Sequence, residues 1–384
     1  MRRLFALMLA LCMLLCACAT TDVPVTEPTA APTEAPTEAP TEAPTEAPTE
    51  APTEAPTEAP TEAPTEAPTE APTEPPVVSY RHPITGEPLE EAWLTRPYAV
   101  SLDNDSKDGT PHWGCSKADM IWELPHEGGS TRMVGLFSSL EGIDKLGPNR
   151  SARPYILSVA QCFDAMLVHA GASALGKKLI EDTGWDNLDG VWGPGAGSYF
   201  KRDKERLDKV ASWHTMYITA ESVRKYTEKL GYKTAYDEAP DYGMTFVEDA
   251  TPNGETAETI KVRFRKSGKK TNFYYNAEAG GYTAEQFNAP YSDGNNGDVP
   301  VFENVLILKT SVSILNDAGR LIVDMVGSGE GYFACGGKIV PIKWSRAGDY
   351  KDYVYTLEDG TPLNLGIGKT FVCVTYTDGT VTAS

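Results

Sequence analysis

Cysteine and histidine are scarce in this 384-residue chain, at seven and five. No two cysteines form a C-x-x-C pair and the histidines are scattered, so zinc-ligand spacing is absent and no metal or other cofactor is expected. A basic excess is missing as well. The 34 Lys and Arg residues face 54 Asp and Glu, a formal charge of -20. That balance excludes the electrostatic footprint of a nucleic-acid binder and argues against direct adhesion to anionic headgroups. Ser173 lacks the G-x-S-x-G context of a nucleophile elbow. The apolar run from Leu4 to Ala17 is too short to cross a bilayer.

That short run follows Met1-Arg2-Arg3 and ends in Leu15-Cys16-Ala17-Cys18. A positive head and a short apolar core make an export signal. The ending matches the bacterial lipobox, and the match implies that Cys18 is diacylated and becomes the mature N-terminus, where the buried acyl chains anchor it to a membrane. Residues 1–17 are then the lipoprotein signal peptide. From Pro24 to Pro76 the chain is an Ala-Pro-Thr-Glu repeat, regular from Ala31 to Glu74. Proline at every fourth position blocks helix and sheet, and nothing there can build a core. Residues 18–76 therefore read as a lipid anchor and disordered stalk, reaching on the order of 150 Å in polyproline II form. About a dozen of the acidic charges lie in this spacer, which leaves a mildly acidic ectodomain.

The ectodomain has enough chain for two cores. Residues 77–240 mix element types and predict an α/β domain. Strands are expected at 97–102, 118–124, 131–137 and 163–169, with helices at 154–161, 174–181 and 219–230. The last is the clearest, with Thr219 as N-cap and Gly231 as stop. Residues 241–384 give short β runs (259–265, 271–276, 304–310, 321–326, 338–344 and 369–376) between turn signals, which predicts a smaller antiparallel β-rich domain. The expected class is α+β. Of the ectodomain cysteines, Cys115, Cys162, Cys335 and Cys373, the apolar settings of Cys162 and Cys373 favour free buried thiols over disulfides. Asp293 to Asp298 echoes a calcium loop but lacks the downstream glutamate, and reads as a turn-rich hairpin loop.

Polar residues set among glycines concentrate between His126 and Tyr217. Arg150 and Arg153 precede a helix start, where guanidinium forks and free N–H groups together suit an anion. His169 ends a buried strand, the edge at which α/β proteins place ligands. Glu127 and Asp203 are candidates to orient the arginines or to act as a base. The structural alternative for Arg150 and Arg153 is pairing with a carboxylate such as Asp144, and for His169 a satisfied buried ring.

These pieces resemble the YerB-like family of bacterial lipoproteins, whose two domains have no assigned function. The matching motifs are His82 to Gly86, Arg96-Pro97, Ala118-Asp119 with Glu123, Glu127 to Arg132, Gly147 to Pro154, His169 to Gly171 and Arg202-Asp203. In the second domain they are Gly327 to Gly329, Trp344 to Arg346 and Gly368 to Thr370. The chain departs from the family pattern at Ala172 and at Trp213-His214. The resemblance places Arg132, Arg150, Arg153, His169 and Arg202 in hallmark motifs. The expected function is that of an extracytoplasmic, membrane-anchored binder of an anionic cell-wall polymer or surface protein, with Glu127, Arg132, Arg150, Arg153, His169, Arg202 and Asp203 as ligand-binding candidates. The alternatives are a phosphoryl or glycosyl-phosphate transfer enzyme and a non-catalytic surface scaffold.

Overall fold

Eleven strands from both halves of the ectodomain share one sheet in the computed structural model, which describes residues 79–105, 109–316 and 318–384. The export signal, Cys18 and the spacer lie outside the described residues. In chain order the strands are β1 (Tyr98–Leu102), β2 (Met120–Pro125), β3 (Thr131–Phe137), β4 (Met166–His169), β5 (Asn187–Asp189), β6 (Glu255–Thr256), β7 (Asn304–Thr310), β8 (Gly327–Cys335), β9 (Lys338–Arg346), β10 (Val354–Leu357) and β11 (Thr370–Tyr376). Across the sheet they run β6-β9-β8-β7-β11-β2-β3-β1-β4-β5, with β10 also on β9. The seam between the halves is the parallel pairing of β11 with β2, from Thr370 opposite Met120 to Cys373 opposite Glu123.

Period-two alternation sends neighbouring side chains of each strand to opposite cores. Val100, Ile121, Ile307, Phe371 and Cys373 pack on one face, together with Val223, Tyr226, Ile260 and Phe273. Ala99, Trp122, Leu306 and Val372 pack on the other, with Ile156, Val159 and Ile180. The second face is covered by helices α1 (Pro154–Cys162) and α2 (Ala174–Thr183). The first is covered by α3 (Ala220–Leu230) and by a six-stranded sheet that includes Thr259–Arg263, Lys270–Asn276 and Gly281–Gln286. Burial on both faces is why the central strands read as unbroken apolar runs.

Most expected elements are present, and the differences have local causes. The helix at α3 carries the expected cap, with Thr219 Oγ1 accepting from Ser222 N at 3.1 Å, and stops at Gly231 with φ 71°. The strand expected from residue 163 begins only at Met166, because Phe163 caps α1 and Asp164 turns at φ 42°. The antiparallel layer expected in the C-terminal half holds for β8, β9 and β10 and for the six-stranded sheet. It does not hold between β7 and β11, which run parallel, although β7 is antiparallel to β8. The Gly327 to Gly329 motif opens the nine-residue strand β8. Asp293 is a clasp on another loop: its carboxylate accepts from Gly114 N at 3.0 Å and from Ser116 N and Oγ at 3.2 and 2.7 Å. All four ectodomain cysteines are free and buried.

Candidate functional site

The parallel strands β1 and β4 end side by side, and the loops that leave this edge hold the charged motifs. Asp103 follows β1, His126 and Glu127 follow β2, and His169 closes β4. Arg132 enters from β3, which runs the other way. The turn between β2 and β3 needs two consecutive left-handed residues, supplied by Gly128 (φ 73°) and Gly129 (φ 80°). A Cβ on Gly129 would also come within 2.6 Å of Arg265. Glycine at these two places brings Glu127 and Arg132 back toward one another.

A cavity of about 410 Å3 opens at this edge, and five arginines line it: Arg132, Arg150, Arg153, Arg202 and Arg320. Three of them have carboxylate partners. Arg150 Nη1 donates to Asp103 Oδ1 at 2.6 Å, while Asp103 Oδ2 lies 2.5 Å from His214 Nδ1. Burial would raise the Asp103 pKa, but the His214 and Arg150 contacts hold it below the usual range. Arg153 grips Glu127 as a fork, Nε to Oε1 at 2.8 Å and Nη2 to Oε2 at 3.1 Å. Arg320 Nη1 stands 3.5 Å from the same Oε2. Burial opposes ionisation of Glu127, yet His126 and Arg153 keep it well below the normal carboxylate range.

Arg132 differs. It is 2 % exposed, and its guanidinium donates to Ser151 O and to His126 Nε2, both at 2.8 Å. Among the described residues no carboxylate forms an ion pair with it. Burial, then repulsion from Arg150 and Arg153, lowers its pKa to about 9. Because arginine only donates, His126 Nε2 must accept, and its proton sits on Nδ1, donated to Glu127 Oε2 at 2.6 Å. Burial and the Arg132 charge accordingly push the His126 pKa down to about 4.

The sequence candidates divide into two sets. Arg132, Arg150, Arg153 and Arg202 face the cavity together. Glu127 stands behind Arg153 as its partner, and Asp144 pairs with neither arginine of the motif. His169 does not face the cavity. Its ring is buried, with Nδ1 2.8 Å from Gly171 O and Nε2 3.1 Å from Asn187 Oδ1, so it holds the loop whose Ala170 is in the lining. Asp203 caps the short helix Lys204–Leu207 by accepting from Arg206 N and pairs with Lys145 at 3.2 Å. No cluster of three or more His, Cys, Asp or Glu suited to a metal occurs among the described residues.

Several lining residues escape sequence reasoning. Asn149 sits inside the Gly147 to Pro154 motif and His126 just before the Glu127 to Arg132 motif, but neither carries a separate signal. Asn149 is 1 % exposed, faces the cavity, and neither side-chain atom has a hydrogen-bond partner. Trp213 lines the rim at 61 % exposure. Asp103 and Arg320 reach the site only through the fold.

Comparison with known proteins agrees with this architecture. Residues 84–233 match the model described as the N-terminal domain of a protein of unknown function (DUF3048), and residues 260–372 match that of its C-terminal domain. The Bacillus subtilis (strain 168) protein named "Putative lipoprotein YerB" is 28 % identical over 293 residues, which is 76 % of this chain and 84 % of that protein. The crystal structure of YerB protein from Bacillus subtilis superposes with a TM-score of 0.68 at 26 % identity, covering 79 % of this chain and 99 % of that one. With both domains matched in order and the fold shared, this chain belongs to the YerB-like family of DUF3048 proteins.

Proposed function

We propose that the protein is an extracytoplasmic lipoprotein, anchored through Cys18, whose arginine cavity binds an anionic ligand of the cell envelope. The observation that carries this reading is Arg132: a buried guanidinium with two hydrogen bonds but no carboxylate in contact with it. A buried cation without an ion-pair partner is costly, and a bound anion lowers that cost. Five guanidinium groups line or edge the cavity against two carboxylates, Asp103 and Glu127, so the site keeps an excess of positive charge on an acidic protein. Arginine forks match phosphate and carboxylate oxygens. Binding is favoured over phosphoryl transfer because the two carboxylates suggested as a base are both engaged. Glu127 is held by Arg153 and His126, and Asp203 by its helix cap and Lys145.

The test is thermal melting of the full-length protein in detergent against inorganic phosphate, diphosphate and glycerol phosphate. At a hundred times the dissociation constant a ligand adds about 2.7 kcal/mol, a readily visible shift. The Arg132→Met variant strands no carboxylate, only the Ser151 carbonyl and His126 Nε2, so it should melt moderately below wild type without ligand and should lose the shift. A wild type that melts at one temperature in every anion refutes the proposal.

A further inference from the structure

The cavity contains more than cations. Asn149, in the cavity lining, carries an amide donor and an amide acceptor that no protein group satisfies, on a side chain that is 1 % exposed. Buried amides are almost always paired, so an unpaired one facing a cavity marks a place where a ligand supplies the partners. Its backbone is fixed, with N donating to Met216 O at 2.7 Å. A neighbouring donor–acceptor pair is what a sugar hydroxyl, itself donor and acceptor, can complete.

Trp213 supplies a second, independent feature. It belongs to the 3-10 turn Ser212–His214, which is tightly tied. His214 N donates to Ala211 O at 2.9 Å, Thr215 Oγ1 donates to Ser212 O at 2.6 Å, and the Arg202 guanidinium donates to that same carbonyl. The flanking His214 is buried against Asp103. The indole turns outward at the cavity rim. Nothing in the turn requires a tryptophan, and leaving its large apolar face in water forfeits burial energy. Val191, also in the lining and 48 % exposed, is likewise held, its N–H donating to Asp189 Oδ1 at 2.8 Å. A rigid apolar rim, an unsatisfied amide and a cationic floor together describe a preformed site for a small ring that carries an anion.

We infer that the ligand is a phosphorylated sugar, with its phosphate on the arginines, a hydroxyl on Asn149 and its ring face on Trp213. This rests on the anion-binding reading above and adds the chemistry of the bound group. Phosphate is favoured over a carboxylate because a dianion better answers the excess of guanidinium groups.

The experiment is isothermal titration of the full-length protein in detergent with inorganic phosphate, glucose, glucose 1-phosphate and glucuronate. Glucose 1-phosphate should bind at least tenfold more tightly than phosphate and than glucuronate, and glucose alone should not bind measurably. Trp213→Ala, at an exposed position, and Asn149→Ala should each reduce the advantage over phosphate to threefold or less. Equal affinity for phosphate and glucose 1-phosphate overturns the inference while leaving the anion site standing, as does an advantage that survives both substitutions. Tighter binding of glucuronate overturns the phosphate assignment. No binding of any anion removes both readings.

Discussion

His126 and His112 are both kept neutral by their surroundings, and each ties stability to pH. Burial, with Arg132 nearby, lowers His126 to about 4. Burial lowers His112 to about 3, its Nε2 3.1 Å from Asn104 Oδ1. In the unfolded chain both titrate near 6.5. Below that value the unfolded state binds protons that the folded state refuses, so stability is complete above pH 6.5 and falls as the pH drops toward 4. Asp103 and Glu127 act later, because their depressed pKa values sustain the fold until the pH falls through the carboxylate range. The urea midpoint should therefore decline between pH 7 and pH 4.5, and His112→Gln should flatten that slope. An unchanged slope in the variant would show that His112 does not carry it.

At the scale of elements, the joint between the large sheet and the six-stranded one is a buried charge pair. Glu123 on β2 is fully buried and pairs with the Lys269 ammonium. Its Oε1 accepts from Thr131 at 2.6 Å and Asn104 at 3.1 Å, and its Oε2 accepts from Thr271 at 2.7 Å and Gln286 at 3.0 Å. Burial lowers the Lys269 pKa, with Glu123 opposing. Removing one member of such a pair strands the other, at a cost of about 3–5 kcal/mol. Lys269→Met should lose roughly that much in urea titration, and adding Glu123→Gln should recover at least half of it. A Lys269→Met protein within 1 kcal/mol of wild type would mean that the hydrogen bonds alone hold the carboxylate. The motif glutamate within β2 was legible in the sequence, but its partners were not. Thr131 and Asn104 are near in the chain, but Lys269, Thr271 and Gln286 come from about 150 residues away, and no local pattern encodes that encounter.

For the whole molecule the decisive element is β11. It lies between β7 of one family domain and β2 of the other, parallel to both, with Phe371 and Val372 facing opposite cores. A chain that ends at Gly368 therefore lacks the strand that closes the sheet, and it should be insoluble or show no cooperative unfolding. A chain that ends at Asp378 loses only the edge strand Thr380–Ala383 and should keep a single transition at a lower midpoint. Soluble, cooperative folding of the shorter chain would show that the N-terminal domain closes its sheet without β11.

What the sequence determined by itself is local. Caps and stops set α3, the glycine at position 184 ends α2, and alternating or continuous apolar runs mark β3 and β7. The arginine motifs were visible for the same reason, since residue type and spacing along a few positions suffice to recognise them. Tertiary structure decided which of those groups meet. It turned His169 and Asp203 away from the cavity, brought Asp103 to Arg150, and delivered Arg320 from the other domain. It also left Arg132 without a carboxylate and Asn149 without a partner. Those outcomes depend on competition among groups far apart in the chain for burial and charge neutralisation, and that competition is resolved only when the strands of both domains close into one sheet.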